Sequence, residues 1–231
     1  MITDKKYYAA YNERYITAHR NGAGWSSDVA TPIVLRTLRN YRIDQGARLL
    51  EIGCGEGRDA RAVLNGGYRL TATDLSEEAI AYCRRQMPQY ADSFRILDCL
   101  SSKEDTRYAF IYAVAVLHML VLDEDRRGFY RFIAEHLTED GMALICTMGD
   151  GTTEYQSDPS KAFDLALRDH PSGKMTVAAT TCRMVSFPTF EAELERNGLT
   201  IAQKGITSAL PDFDRLMYAL VKMSSKERRT L

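Results

Sequence analysis

An α/β fold, with a mostly parallel sheet between helical layers, is what this sequence predicts, and three observations predict it. Residues 47–52 form a short continuous apolar run that leads into alternate glycines, Gly53, Gly55 and Gly57, and a helical pattern starts at Arg58. Short strand-like runs then alternate with helical runs as far as residue 148, the pattern of βαβ units. Residues 199–208 and 216–223 read as two final strands. The connection between them is too short for a parallel crossover, so they pair antiparallel.

The bulk properties narrow the class. The chain's 231 residues suit one domain, and 45% hydrophobic with 26% charged residues is the composition of a chain that buries a core. A net charge of −1 argues against a broad basic surface, so no nucleic-acid partner is expected. Five cysteines, at 54, 83, 99, 146 and 182, form no C-x-x-C pair, which points to a reduced, cytoplasmic compartment. The chain reads as having no secretory leader, and no apolar run is long enough for a bilayer, so no membrane association is expected. Histidines 19, 118, 136 and 170 show no mutual ligand spacing, so no metal is expected. The oligomeric state stays open.

Taken in order, residues 4–20 read as a helix with Tyr8, Tyr11 and Tyr15 on one face, either plain packing or a cap over a ligand. The run Asn21-Gly22-Ala23-Gly24 breaks it, and Trp25 follows where it could close a pocket. A second helix is predicted over 28–41, capped by Ser26 or Ser27, with Pro32 in its first turn. The glycine turn aims backbone N–H groups over the end of the first strand. The dinucleotide fingerprint G-x-G-x-x-G would need glycine where Arg58 stands. Glu51, two residues before the first glycine, would repel a pyrophosphate and attract an ammonium group.

Residues 69–74 read as the second strand. Its terminal Asp74 is spaced from Gly53 so as to meet a ribose, and it would also suit the start of the next helix, which runs to about residue 86. A third strand, 93–97, ends at Asp98 and Cys99; a fourth, 108–114, leads into Ala115 and His118. A helix over 123–137 is predicted to stop at Asp140-Gly141, and 142–148 to be the fifth strand. Residues 149–182 lose regular pattern except for a helical run at 162–168. A segment this long reads as a lid, with Tyr155, Phe163, His170 and Met175 available to line a pocket. A helix over 190–196 precedes the final strands, and 224–231 is a polar tail.

The motif Glu51-x-Gly53-x-Gly55-x-Gly57, followed by acids after strands two and three and by Val116-Leu117-His118 after strand four, resembles the class I S-adenosylmethionine (SAM)-dependent methyltransferases of small-molecule type. Within them, the run from Cys54 to Ala60 looks like the tellurite-resistance and thiopurine methyltransferase-like group. The resemblance implies a Rossmann-like three-layer sandwich, with a seven-stranded, mostly parallel sheet, an antiparallel last strand and an N-terminal helical cap. It divides the chain into cap (1–44), SAM-binding core (45–148), lid and acceptor insertion (149–182), C-terminal helix and strand pair (183–223) and tail. It implies SAM as cofactor and S-adenosylhomocysteine (SAH) as product. Glu51, Gly53, Cys54, Gly55 and Gly57 would hold the methionine end, Asp74 the ribose, and Leu75, Asp98 and Cys99 the adenine, with Ala115 beside them. His118 would be the candidate base. Tyr11, Tyr15, Trp25, Tyr155 and Phe163 would serve the acceptor or lid. The reaction implied is in-line methyl transfer to a small-molecule acceptor. Neither an Asn/Asp-Pro-Pro-Tyr motif nor a Pro-Cys pair is present after strand four, which points away from methylation of nucleic-acid bases. An NAD-dependent oxidoreductase, an aminopropyl transferase and a non-catalytic SAM-binding module are the alternatives.

Overall fold

The computed structural model describes residues 6–102 and 105–224. Its elements are α1 (Ala10–Arg20), α2 (Pro32–Asn40), β1 (Leu49–Ile52), α3 (Arg58–Asn65), β2 (Leu70–Asp74), α4 (Glu77–Gln86), β3 (Phe94–Ile96), β4 (Tyr108–Val114), α5 (Asp123–His136), β5 (Leu137–Met148), β6 (Tyr155–Gln156), β7 (Leu165–His170), β8 (Gly173–Ala178), β9 (Arg183–Met184), α6 (Phe187–Arg196), β10 (Leu199–Ala209) and β11 (Phe213–Met223).

All four residues of β1 are buried, as a strand covered on both faces by helices must be. Alternation along the strand decides where each side chain goes. Leu49 joins a core with Val34, Val63 and Ile80 from α2, α3 and α4. Leu50 joins a second core with Phe129 and Ile133 from α5 and Phe190 from α6. These cores are the two interfaces of a three-layer sandwich. The seven-stranded sheet has the order β10-β11-β5-β4-β1-β2-β3. From β5 to β3 all neighbours are parallel, and β11 is antiparallel to both β5 and β10. The expected seven strands and antiparallel last strand are therefore present. The chain leaves β1 toward β2 and β3, then returns to lay β4 on the other side. This reversal opens a crevice at the carboxyl ends of β1 and β4.

Four local expectations are corrected. First, α2 starts at Pro32, because Thr31 takes the N-cap place, and Ser26 and Ser27 instead bond Glu56 and Asp212. Second, α5 ends at His136 and β5 begins at once, so Asp140-Gly141 lies inside β5, where its register against β4 shifts. A Cβ on Gly141 would lie 2.9 Å from the Thr138 carbonyl oxygen, so the glycine serves that irregularity and ends no helix. Third, the predicted helical run at 162–168 is replaced by a hairpin, β7 paired antiparallel with β8 across Pro171-Ser172. Met175 and Val177 are its buried alternate positions, a period of two that outweighs the apolar spacing of 162–168. Fourth, α6 starts at Phe187, where the Ser186 hydroxyl accepts from the Thr189 N–H. The start of the predicted first helix, residues 4–5, and the tail 225–231 lie outside the described residues.

A buried ion pair joins α5 and α6, two helices of the same layer. Arg126 on α5 is 2% exposed. Its Nε and Nη2 donate to Glu193 on α6 at 2.9 and 2.6 Å, and its Nη1 donates to the Leu117 and Leu120 carbonyls at 3.0 and 3.3 Å. It thus grips the turn that carries His118. Arg126→Met should lower unfolding free energy by about 3 kcal/mol, because a buried carboxylate loses its main partner. The cost should sit at the low end of the usual range because Arg183 remains 3.6 Å from Glu193. Urea unfolding measures it.

Candidate active site

The site begins where β1 runs out. Gly53, Gly55 and Gly57 have φ of 72°, 52° and 80°, a left-handed backbone that side chains resist. Space constrains them as well. A Cβ on Gly53 would come within 2.3 Å of Val116 Cγ2, and one on Gly55 within 2.6 Å of the Tyr15 hydroxyl. Gly53, Cys54 and Gly55 line a cavity of about 740 Å³ at the carboxyl ends of the strands. Gly57 does not: it caps α3 and backs onto Met87 and Cys83, so its expected ligand contact is corrected to a packing role.

Asp74 lines the same cavity. One carboxylate oxygen accepts from the Gly55 N–H and the other from the Ser76 N–H, each at 2.8 Å. Burial raises its pKa and these N–H groups oppose the rise. Its remaining lone pairs are free to meet hydroxyls. Leu75, Asp98, Cys99 and Ala115 are also on the wall. Burial pushes at Asp98 from one side, but Lys6, the Leu100 N–H and the Ser101 hydroxyl together hold its carboxyl below the usual range. Burial, with Asp98 beside it, pushes the Cys99 thiol up to about 12, so it stays protonated. Ala115 is a non-glycine residue at φ 58°, a strained turn where β4 meets the cavity.

Glu51 is 2% exposed, and its Oε2 accepts from the Tyr112 hydroxyl at 3.0 Å. Oε1 has no partner among the described residues; it is not sealed in, and it opens on the cavity that Glu51 lines. Burial, then Asp59, raises its pKa well above the ordinary value. A cation in the cavity would reverse that.

The opposite wall comes from distant segments. Tyr11, Tyr15 and Trp25 line it, so the N-terminal helix forms part of the cavity wall as well as packing on the domain. Glu56, which the sequence reading missed, holds the Trp25 segment down: it accepts from the Trp25 N–H at 2.6 Å, the Ser26 N–H at 2.8 Å and the Ser26 hydroxyl at 2.9 Å. An acid inside a glycine turn was the signal available. At the hairpin tip, His170 Nε2 donates to the Gly24 carbonyl at 2.7 Å and its ring stacks on Trp25. Tyr155 stands half-exposed at the rim. Phe163 and Met175 do not line the cavity as expected. Phe163 packs with Ala10 and Ala178, and Met175 with Ala18, under the docked hairpin. Arg14, also unforeseen, lines the cavity from α1.

His118 reaches the cavity as expected but not as a base titrating near neutrality. It is 2% exposed, and its Nδ1 has no hydrogen-bond partner. Burial, then the charges of Arg126 and Arg14, lowers its pKa to about 3. Among the described residues, no cluster of three metal-ligating side chains occurs, and no helix is long and apolar enough to cross a membrane.

Comparison with known proteins adds to this geometry. Residues 50–143 match the family model described as a methyltransferase domain. A provisionally named methyltransferase of Geobacillus sp. (strain WCH70) is 28% identical over 131 residues, 51% of this chain and 49% of that protein, so the match spans about half the length of the curated relative. Among solved structures, the 1,6-didemethyltoxoflavin-N1-methyltransferase of Burkholderia thailandensis, with bound 1,6-didemethyltoxoflavin and SAH, aligns with a TM-score of 0.72 at 15% identity, covering 97% of this chain and 92% of that one. The CcbJ methyltransferase of Streptomyces caelestis gives 0.67 at 14%, covering 96% and 100%. A SAM-dependent methyltransferase of Clostridium acetobutylicum gives 0.64 at 14%, covering 94% and 99%. At these identities the structural likeness is one of fold. The matches speak to the superfamily and not to the finer tellurite-resistance or thiopurine group.

The depressed pKa of His118 has a measurable consequence. Below about 6.5 the unfolded chain takes up a proton there that the folded chain refuses until about 3. The stability associated with the neutral ring is therefore complete above that range and is lost as pH falls through it. In His118→Gln, the drop in unfolding free energy between about pH 7 and 5 should be smaller than in wild type by about 2 kcal/mol. Chemical denaturation at the two pH values reads the difference.

Proposed function

We propose a reaction for a chain that carries a methyltransferase domain in the class I fold: transfer of the methyl group of SAM to a small-molecule acceptor, leaving SAH. The observation that carries this reading is a single cavity that joins the glycine turn, Asp74 and Asp98 to His118 under a roof of α1 and the β7–β8 hairpin. The residues suit SAM. Gly53 and Gly55 line the cavity at the end of β1 with their Cβ positions closed by Val116 and Tyr15, so a ligand there would meet backbone. The open oxygen of Glu51 offers a buried carboxylate to an ammonium group.

When bound, SAM supplies a methyl already activated on a sulfonium, with a neutral thioether as leaving group. The chain's task is then alignment and exclusion of water. Asp74 would hold the ribose hydroxyls, Leu75, Asp98 and Cys99 would frame the adenine, and Glu51 would take the amino group. His118 stays neutral and uses a ring nitrogen to accept a hydrogen bond from the acceptor's N–H or O–H, orienting its lone pair. Taking a full proton there is disfavoured by burial and by Arg126 and Arg14. Residues 149–182 form the lid, with Tyr155 at its edge and His170 as its latch on Gly24. All five cysteines are free, in keeping with a reduced cytoplasmic setting.

Asp74→Ala should weaken SAH binding by roughly 1–3 kcal/mol, from the loss of a charged hydrogen bond. It should also lower stability, because the Gly55 and Ser76 N–H groups lose their acceptor. Calorimetry that finds wild-type affinity in the folded variant would remove Asp74 from the ribose site. For the lid, hydrogen exchange with and without SAH and an acceptor analogue should show protection gained across 165–178. Equal exchange in both states would make the hairpin a fixed ornament.

A further inference from the structure

Arg14 projects from the middle of α1, only 5% exposed, into the cavity wall. Its Nε donates to the Ala178 carbonyl at 3.2 Å. Its Nη2 donates to the carbonyls of Ala178 and Ala179 at 2.7 and 2.8 Å and to the Thr180 hydroxyl at 2.9 Å. The guanidinium carbon lies 4.7 Å from the ring centres of both Tyr11 and Trp25. Every one of these partners is neutral. Among the described residues no carboxylate pairs with Arg14, and Nη1 has no hydrogen-bond partner. Arg14 lines the cavity, and Nη1 is the guanidinium nitrogen it has left for a ligand there.

A guanidinium taken out of water and held only by neutral groups keeps an uncompensated charge. The acids that share the cavity do not supply the balance. Asp74 accepts the Gly55 and Ser76 N–H groups, Asp98 pairs with Lys6, Asp212 pairs with Arg58 at 2.6 Å, Asp59 accepts from Thr31, and Glu51 accepts from Tyr112; none of them pairs with Arg14. Asp169 stands on the exposed hairpin rim without an ion pair to Arg14. The nearest charged neighbour is another cation: Arg168, also on the rim, donates to the same Ala179 carbonyl at 3.3 Å, and its charge, after burial, lowers the pKa of Arg14.

We infer that the methyl acceptor is a small carboxylate, anchored through its carboxylate group on Nη1 of Arg14 with an apolar or planar body against Tyr11 and Trp25. The inference rests on the methyltransferase reading and names the substrate class of the same cavity. One buried charge with one free nitrogen matches a monoanion held by a single charge-assisted hydrogen bond. A phosphate dianion would call for a second buried cation, and Arg168 is exposed.

Trp25 is the only tryptophan and lies over Arg14, so its emission reads occupancy there. SAH-saturated full-length protein is titrated with benzoate, benzamide and phenyl phosphate. Benzoate should bind at least about tenfold more tightly than benzamide, and Arg14→Gln should erase that preference. Should the variant fail to fold, the benzoate and benzamide comparison on wild type stands by itself. Benzamide equal to benzoate, phenyl phosphate the tightest of the three, or no saturable response to any of them would each overturn the carboxylate site. SAH calorimetry on the same sample separates the two levels. If SAH does not bind, the methyltransferase reading falls and this inference with it. If SAH binds and benzoate has no advantage, only the carboxylate assignment falls.

Discussion

The carboxylate of Asp74 is the point on which the site turns. It accepts the Gly55 N–H with one oxygen and the Ser76 N–H with the other, so the glycine turn after β1 and the start of α4 are held by one group. Ser76 passes the connection on: its hydroxyl caps the Ala79 N–H and donates to Asn12 on α1. A left-handed turn, a helix start and α1 are therefore linked through one half-buried acid. The geometry leaves no slack, since Tyr15 from that helix comes so close to Gly55 that a single methyl group would not fit. A rigid first wall of this kind lets a cofactor bind without reorganising the protein.

The second wall is built on a different principle. Trp25, the β7–β8 hairpin and α1 are far apart in sequence and are held by a few directed bonds: Glu56 to the Trp25 segment, His170 to Gly24, Arg14 to the strand end at Ala178–Thr180. The hairpin strands expose Leu165 and Leu167 and bury only Met175, Val177 and Ala178. Fewer apolar contacts than the central sheet has place this part at the low-stability end of the fold, where opening for an acceptor is least costly. His118 sits between the two walls. Arg126 grips its turn through the Leu117 and Leu120 carbonyls, and burial, then the charges of Arg126 and Arg14, holds the ring neutral.

Several features were legible from residues alone. The alternation of strand and helix, the short link before β11 and the burial of β1 follow from local pattern, because each needs only the period of its own element. That Gly53, Asp74 and Asp98 would share one cavity was readable because each follows a strand, and parallel strands end on one side. Where the reading failed, a local signal had two meanings. Asp140-Gly141 looks like a helix stop and is a strand irregularity; 162–168 has helical apolar spacing and is half of a hairpin whose partner strand decides it. Ser26 and Ser27 looked like caps, but acids 30 and 185 residues away claimed them.

The sequence by itself therefore determined the sheet, the glycine turn and the acids that follow the second and third strands, since these depend on short-range periodicity and on backbone conformations open chiefly to glycine. Only the tertiary structure decided the acceptor side. Whether Phe163 or Arg14 faces the cavity depends on how the hairpin docks on α1, and whether His118 is a base depends on the water and charge around it. Those are properties of burial, which no spacing along the chain encodes.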